Sequence, residues 1–230
     1  VASTAHPPYE DKRCTECHVS RFSVKMKGPQ TQICFECHDN FLTQLKVKHQ
    51  PAENGDCTGC HDPHGSANPH LLLQTGASLC AECHDPFPAE AKVKHQPVEN
   101  GECSSCHQAH GGEFKGLLTK AQDKLCFECH EDLQQAIEKA PFKHDPAANG
   151  ECASCHAPHH AAEPALLLKD SRQVCFECHE EKDMAAVEAH AKAPPEQGCS
   201  TCHDPHAGAE KLFLKPGAKP AAAPPGTSPK

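Results

Sequence analysis

The sequence has few of the side chains that usually fill a protein core. Its 230 residues include no Trp, one Tyr and only 4% aromatic residues, alongside 21 Pro and 14 Gly. A chain of this composition can hardly bury enough apolar surface to offset the conformational entropy that it loses on folding. The sequence therefore predicts that something other than protein fills much of the interior.

Long apolar runs and an excess of basic residues are also lacking. The longest leucine runs span residues 71–73 and 166–168. No transmembrane segment is expected, because a span needs roughly 20 apolar residues. The net charge of −9 leaves no basic field for nucleic acid. No basic, apolar leader stands at the start, and we take Val1 to lie near a processed N-terminus.

Cysteine, in contrast, is abundant, and all 18 cysteines belong to one motif, Cys-x-x-Cys-His, which occurs nine times. We number the motifs 1 to 9 in chain order. Two thiols one short turn apart can add to the two vinyl groups of one haem, and the next imidazole can then reach the iron. The predicted thioether residues are Cys14, Cys17, Cys34, Cys37, Cys57, Cys60, Cys80, Cys83, Cys103, Cys106, Cys126, Cys129, Cys152, Cys155, Cys175, Cys178, Cys199 and Cys202. The predicted proximal iron ligands are His18, His38, His61, His84, His107, His130, His156, His179 and His203.

Disulfides and zinc sites are the alternatives to haem attachment. A disulfide scaffold or a redox pair gives no reason for His after the second Cys, and structural zinc rarely takes ligands from adjacent residues. The chain has 20 His among 230 residues, so nine such placements by chance are negligible. The sequence predicts nine haem c groups. Haem attachment and disulfides both point away from a reducing cytosol, so we expect an exported protein that is periplasmic, outer-membrane-associated or extracellular.

Nine of the eleven remaining histidines are regularly spaced. Five upstream histidines precede alternate motifs by eight or nine residues, and four downstream histidines stand three residues after a proximal His. Together they are the predicted distal iron ligands, namely His6, His49, His95, His144 and His190 upstream, and His64, His110, His159 and His206 downstream. His70 and His160 are expected to be solvated or to contact a haem propionate, although His160 could replace His159.

The chain ends predict which iron each distal His serves. Arg21 stands where later motifs have a downstream His, and the last motif keeps His206 with no motif after it. Each downstream His is therefore expected to bind the iron of the motif before the one that it follows. Each upstream His is expected to bind the iron of the motif that it precedes. The downstream assignments are His64 on the Cys34/Cys37 haem, His110 on Cys80/Cys83, His159 on Cys126/Cys129 and His206 on Cys175/Cys178.

Helical spacing supports this assignment. Eleven residues separate His38 from His49, close to three helical turns, so residues 40–46 and 184–189 are predicted helices. Pro141 should break the segment after His130 and make it the irregular one. The predicted fold is mostly coil, with short α-helices wrapped around nine haems and essentially no β-sheet. Its predicted parts are a single-haem segment at 1–33, two-haem modules at 34–64, 80–110, 126–159 and 175–206, and a Pro/Ala-rich tail at 207–230.

One run carries a family resemblance. Gly55-Asp56-Cys57-x-x-Cys60-His61-Asp62-Pro63-His64-Gly65, then a leucine cluster and Leu79-Cys80-x-x-Cys83-His84, resembles the doubled-CXXCH multihaem cytochromes, and the likeness extends from residue 6 to about 206. That family includes the pentahaem electron donor to periplasmic nitrite reductase and the decahaem cytochromes that thread an outer-membrane porin in metal-respiring bacteria. The resemblance implies bis-histidine haems, little regular secondary structure and an electron-relay role. An odd haem count departs from the family's paired pattern.

The predicted function is an electron conduit, because eighteen of the twenty histidines can be axial ligands and six-coordinate iron has no vacancy for a substrate. The expected partners are redox proteins or extracellular acceptors, and no catalytic residue is predicted. One alternative is a subunit of a filament or porin complex, in which His6 could reach a neighbour's haem. The other is a multihaem reductase, whose best opening would be the haem at Cys14. Met26 and Met184 are the only methionines, so mostly low potentials are expected.

Overall fold

Short helices joined by turns and coil make up most of this protein. The computed structural model describes residues 4–85, 88, 91–185, 187–191, 193 and 197–218. In those residues the α-helices are α1 (Pro7–Glu10), α2 (Gln30–Cys34), α3 (Gln50–Asn54), α4 (Ala77–Cys80), α5 (Gln96–Glu99), α6 (Cys103–Cys106), α7 (Gln122–Phe127), α8 (Glu131–Lys139), α9 (Asp145–Ala148), α10 (Ser171–Phe176), α11 (Glu181–Ala185) and α12 (Glu188–Ala191). Single turns of 3₁₀ helix lie at Cys14–Glu16, Phe41–Gln44, Cys57–Gly59, Pro69–Leu71, Lys115–Leu117, Cys152–Ser154, Pro164–Leu166 and Cys199–Thr201. The predicted fold of coil with short α-helices is confirmed.

Four antiparallel ladders of two residues a side were not foreseen. They pair β1 (Thr4–Ala5) with β3 (Gly65–Ser66), β2 (Val47–Lys48) with β5 (Gly111–Gly112), β4 (Val93–Lys94) with β7 (His160–Ala161), and β6 (Phe142–Lys143) with β8 (Ala207–Gly208). A two-residue strand is too short to show the alternating pattern from which strands are predicted. The ladders therefore leave almost no trace in the sequence.

All four ladders connect an upstream His to a downstream His. In each, the first strand leads directly into an upstream His, and its partner follows a downstream His. The amide of the upstream His donates a hydrogen bond to the carbonyl of the downstream His. These bonds are His6 to His64 at 3.2 Å, His49 to His110 at 3.0 Å, His95 to His159 at 2.9 Å and His144 to His206 at 3.1 Å. The backbone thus holds two predicted distal ligands side by side.

The chain divides into two compact units. The first comprises Val1–Pro86 and Gln96–Ala121, and the second Phe87–His95 and Gln122–Lys230. Motifs 1 to 5 belong to the first unit and motifs 6 to 9 to the second. Strand β8 lies at the start of the segment predicted as a tail, residues 207–230, and these bounds remain a prediction. Residues 219–230 of that segment lie outside the described residues.

Very few apolar side chains are buried. Among the described residues, the buried apolar side chains are Ile33, Leu42, Ile137 and Ala161, and no polar side chain is buried. Burial contributes about 2 kcal/mol for each large aliphatic side chain, whereas ordering the backbone costs about 1–2 kcal/mol per residue. This protein core cannot account for the fold, which supports the prediction that another group fills the interior.

The helices differ from prediction in two places. Residues 41–44 form one 3₁₀ turn, and the extended strand β2 follows, so no continuous helix joins His38 to His49 and the helical-face argument is wrong. Helix α8 ends at Lys139, two residues before Pro141, as expected of proline. The same segment, predicted to be irregular, nevertheless holds the longest described helix, because its longer spacing leaves room for nine residues.

The second predicted helix, at residues 184–189, falls across α11 and α12, and Ala186 lies outside the described residues. No helix in the described part of the chain has both the length and the apolar character of a membrane span.

Candidate haem sites

Every Cys-x-x-Cys-His motif folds as a single helical turn. In all nine motifs the amide of the proximal His donates a hydrogen bond to the carbonyl of the first Cys, four residues earlier, at 2.9 to 3.1 Å. One turn keeps two thiols and an imidazole close together, as attachment to a single macrocycle requires. None of the eighteen cysteines, all of which are described, is joined in a disulfide.

Histidine rings face one another in pairs at a nearly constant spacing. Eight pairs have ring centroids 5.9 to 6.2 Å apart, and in seven of them the ring planes lie within 23° of parallel. The pairs are His6 with His38, His18 with His64, His49 with His84, His61 with His110, His95 with His130, His144 with His179, His156 with His206, and His190 with His203. Each pair joins one predicted proximal ligand to one predicted distal ligand.

This spacing fits one metal ion between two imidazoles. Two metal–nitrogen bonds of about 2 Å each, plus the radius of each ring, separate the centroids by about 6 Å. Within the described ranges no three His, Cys, Asp or Glu side chains converge on one point, whereas structural zinc needs four ligands. Sites with two protein ligands suit an iron whose other four ligands are porphyrin nitrogens.

Backbone carbonyls fix the tautomer of many of these imidazoles. Because a carbonyl oxygen only accepts, the Nδ1 atom that it contacts must carry the proton, which leaves Nε2 unprotonated for a metal. Four upstream histidines donate from Nδ1 to the carbonyl of the residue just before the downstream His of the same ladder. The bonds are His6 to Pro63 at 3.0 Å, His49 to Ala109 at 2.6 Å, His95 to Pro158 at 2.8 Å and His144 to Pro205 at 2.7 Å.

The odd-numbered motifs make an equivalent bond from their proximal His. Nδ1 donates to the carbonyl nine residues further on in four of them, from His61 to His70, His107 to Gly116, His156 to Ala165 and His203 to Leu212, at 2.7 to 2.9 Å. Burial lowers the pKa of the distal His110 and His206. It thereby favours the neutral imidazole, the form that binds metal.

The carbonyls that receive these proximal bonds lie in an unusual backbone turn. His70 and Leu71 both have φ of 57°, Ala165 and Leu166 have φ of 54° and 57°, and Gly116 has φ of 72°. The left-handed conformation costs an L-residue about 1–2 kcal/mol, and residues held there are over-determined by their surroundings. His70 therefore contributes its carbonyl, while its side chain is exposed as predicted. His160 lies in β7, in register with Lys94.

A matched pair of glycine substitutions tests the cost of this turn. Replacing Ala165 with Gly should stabilise the holoprotein by about 0.5–1 kcal/mol, because the left-handed penalty of about 1–2 kcal/mol exceeds the entropic cost of glycine. Ala162, exposed in the same loop, does not have positive φ, so Ala162→Gly should destabilise it by about 0.5 kcal/mol. Denaturant unfolding of the two variants measures the difference. Equal effects of the two changes would contradict the strained turn.

The ligand pairing predicted from chain order is wrong for most of the sites. His64 faces His18 rather than His38, His110 faces His61 rather than His84, and His206 faces His156 rather than His179. His130, predicted to share its iron with His159, faces His95 instead. The other upstream histidines face the even motif after the one that they precede, except His190, which faces His203 as predicted.

The ladders explain this pairing. Each ties an upstream His to the downstream His about 60 residues later in the chain. In three of the ladders the two histidines face proximal ligands of one even and one odd motif. The number of histidines matches the number of iron positions in this arrangement as well as in the predicted one. The count alone therefore could not distinguish the two pairings. His107 belongs to the first unit and His159 to the second.

Neighbouring attachment sites lie against each other through their thiols. Burial raises the pKa of Cys34 to about 11, with a further contribution from a hydrogen bond to Cys57. Burial and then Cys103 raise the pKa of Cys80 in the same way. In the last such contact, the hydrogen bond from Cys175 lowers the pKa of Cys199 to about 6. The first Cys of an even motif thus adjoins the first Cys of the next motif.

The second cysteines make the alternate contacts. Burial raises the pKa values of Cys17 and Cys60, and nearby Cys37 and Cys83, respectively, raise them further. Motif 1 therefore adjoins motif 2, and motif 3 adjoins motif 4. Together with the contacts of the first cysteines, these place motifs 1 to 5 of the first unit in a row that follows chain order.

The combination of nine attachment turns with two-histidine sites defines a multihaem c-type cytochrome, a class that carries electrons. The doubled CXXCH motif family matches residues 6–43, 49–89, 95–135 and 144–184, and the chain belongs to that family. A comparison with curated proteins gives no match. Each family match begins at an upstream His and spans one odd and one even motif, the grouping that the histidine pairs also show. The two-haem module boundaries given above remain predictions.

Proposed function

We propose that the chain binds nine haem c groups, each between two histidines, and conducts electrons along them. The observation that carries this proposal is the set of facing histidine pairs at about 6 Å, each with a proximal ligand that follows two cysteines. When bound, haem supplies reversible one-electron iron chemistry. The two histidines of each pair would hold the iron of one haem and leave it no position for substrate, so the site would serve electron transfer.

The thiol contacts support conduction between sites. Cys34 against Cys57, and Cys80 against Cys103, bring the attached edges of consecutive macrocycles together. Electron transfer needs such close approach, and the fold supplies it by placing the attachment turns next to each other. We propose an extracytoplasmic role, since 18 cysteines and covalent haem both suit an oxidising compartment.

The alternative functions receive less support. A filament in which His6 reaches a neighbour's haem competes with the contact of His6 and His38 within one chain. A reductase at the Cys14/Cys17 haem needs an open axial position, yet His18 of that motif already faces His64. Electron transfer between redox proteins or extracellular acceptors is the function that these pairs favour.

Counting haems and open sites tests the proposal. The mass of the mature protein should exceed that of its chain by nine haems, and the reduced protein should bind no carbon monoxide, because no iron has a free axial position. A Cys152→Ser/Cys155→Ser variant is the control for the count and should carry eight. A wild-type protein with fewer than nine haems, or one that binds a stoichiometric amount of carbon monoxide, would contradict the proposal.

A further inference from the structure

The loop after motif 1 is a shortened copy of the loops after the other odd motifs. In motifs 3, 5, 7 and 9 the proximal His forms a backbone bridge to the residue eleven positions later, as in His61 with Leu72. In motif 1 the bridge joins His18 to Met26, eight positions later. The first loop is therefore three residues shorter than its four counterparts.

The two ends of this loop are held as in the longer copies. The amide of Lys27 donates to the carbonyl of Cys17 at 2.9 Å, as Leu73 does to Cys60 at 2.9 Å. Val19 donates to the carbonyl of Lys25 at 3.0 Å, where a longer copy has Asp62 donating to Leu71 at 2.7 Å. The three missing residues thus come from the interior of the loop.

The shortened interior lacks the left-handed turn that presents a carbonyl to the proximal His. None of residues 19–26 has positive φ, whereas His70 and Leu71 both do. Nδ1 of His18 is buried and has no hydrogen-bond partner in the described part of the chain. The equivalent atoms of His61, His107, His156 and His203 all donate to a carbonyl at 2.7 to 2.9 Å.

We propose that the iron site of motif 1 has the highest reduction potential among the odd-numbered motifs, because His18 lacks this hydrogen bond. The inference rests on the proposed function, since it concerns a haem held by His18 and His64. A carbonyl that accepts from Nδ1–H draws the proton away and makes the imidazole a stronger electron donor, which favours the ferric state. An imidazole without that bond donates less and favours the ferrous state.

Charge within the loop acts in the same direction. Arg21, Lys25 and Lys27 lie within or beside the short loop, and no acidic residue stands between His18 and Phe35. Positive charge near an iron favours the reduced form, which carries one positive charge fewer.

A charge-matched loop exchange separates the hydrogen bond from local charge. Residues 19–25 of the full-length holoprotein are replaced by a second copy of residues 108–117. Within this inserted copy only, H110R and E113Q are introduced. The new loop has two cations and no acid, like the original, and it brings the turn of Gly116 to His18. The reduction equilibrium constant of the motif 1 site should fall about tenfold, equivalent to 59 mV for a one-electron couple.

The potentials are read site by site from paramagnetic NMR during a redox titration, with the motif 1 resonances identified by their shift in a His64→Met variant. The motif 7 site, where His156 keeps its bond to Ala165, is the internal control and should not move. An unchanged motif 1 potential after the exchange would overturn the inference, as would a wild-type motif 1 potential below those of motifs 3 and 7.

Nitrogen NMR of the reduced wild-type protein provides a second test of the missing hydrogen bond. The Nδ1 proton of His18 should resonate upfield of those of His61 and His156, because it lacks an acceptor, and a downfield position would refute the missing bond. Haem counting on the same sample distinguishes the two proposals. Fewer than nine haems in the wild type would contradict the proposed function. Nine haems with a low motif 1 potential would contradict this inference alone.

Discussion

A chain that has not acquired haem is expected to be unfolded at 25 °C. The described residues bury only Ile33, Leu42, Ile137 and Ala161 among apolar side chains. The described strands have two residues each, and the longest described helix has nine, lengths that are marginal in isolation. Binding of a group that only the folded chain can hold supplies folding free energy, as it does in small metal-dependent domains.

Far-ultraviolet circular dichroism of the unmatured chain, produced where no haem is attached, measures this effect. The measurement needs a reductant, because the chain's 18 thiols would otherwise form cross-links. The control is the matured protein under the same conditions, which should show helix and a cooperative thermal transition. A comparable transition in the haem-free chain would show that protein contacts alone specify the fold.

The features that the sequence could predict are local. Each attachment site spans five consecutive residues, so identity and spacing determine it, and the structure folds every such motif into one turn. Spacing also predicted the distal ligands, and eight of these histidines each face a predicted proximal His. The family resemblance predicted little regular secondary structure, and that prediction is confirmed.

The features that escaped prediction are long-range or conformational. The backbone amide of His49 donates to the carbonyl of His110, and its Nδ1 donates to the carbonyl of Ala109, about 60 residues away in sequence. No sequence pattern near either histidine indicates this contact. The left-handed turn is equally hidden. Gly116 is suggestive, but the same positions hold His70 and Ala165 in other copies, residue types that do not signal positive φ. Pairing of ligands therefore required the fold, although their identity did not.

Replacing His110 with Ala should open one iron site to carbon monoxide, and that site should be the one attached to Cys57 and Cys60. The ring of His110 faces that of His61, with 5.9 Å between centroids. Removal of one axial ligand leaves a vacant position on the iron. Carbon monoxide bound to the reduced protein should rise from none to one per chain. A His70→Asn variant is the control and should bind none, because the His70 side chain is exposed and asparagine tolerates left-handed backbone.

The identity of the opened site follows from combining His110→Ala with loss of one haem. In a Cys57→Ser/Cys60→Ser background the iron that His110 serves is already absent, so the combined variant should bind no carbon monoxide. In a Cys80→Ser/Cys83→Ser background it should still bind one. Chain-order pairing, which assigns His110 to the Cys80/Cys83 haem, gives the opposite results in both backgrounds. Haem counts of eight in each background establish that the comparison is sound, and uptake in the Cys57→Ser/Cys60→Ser background would contradict the pairing of His61 with His110.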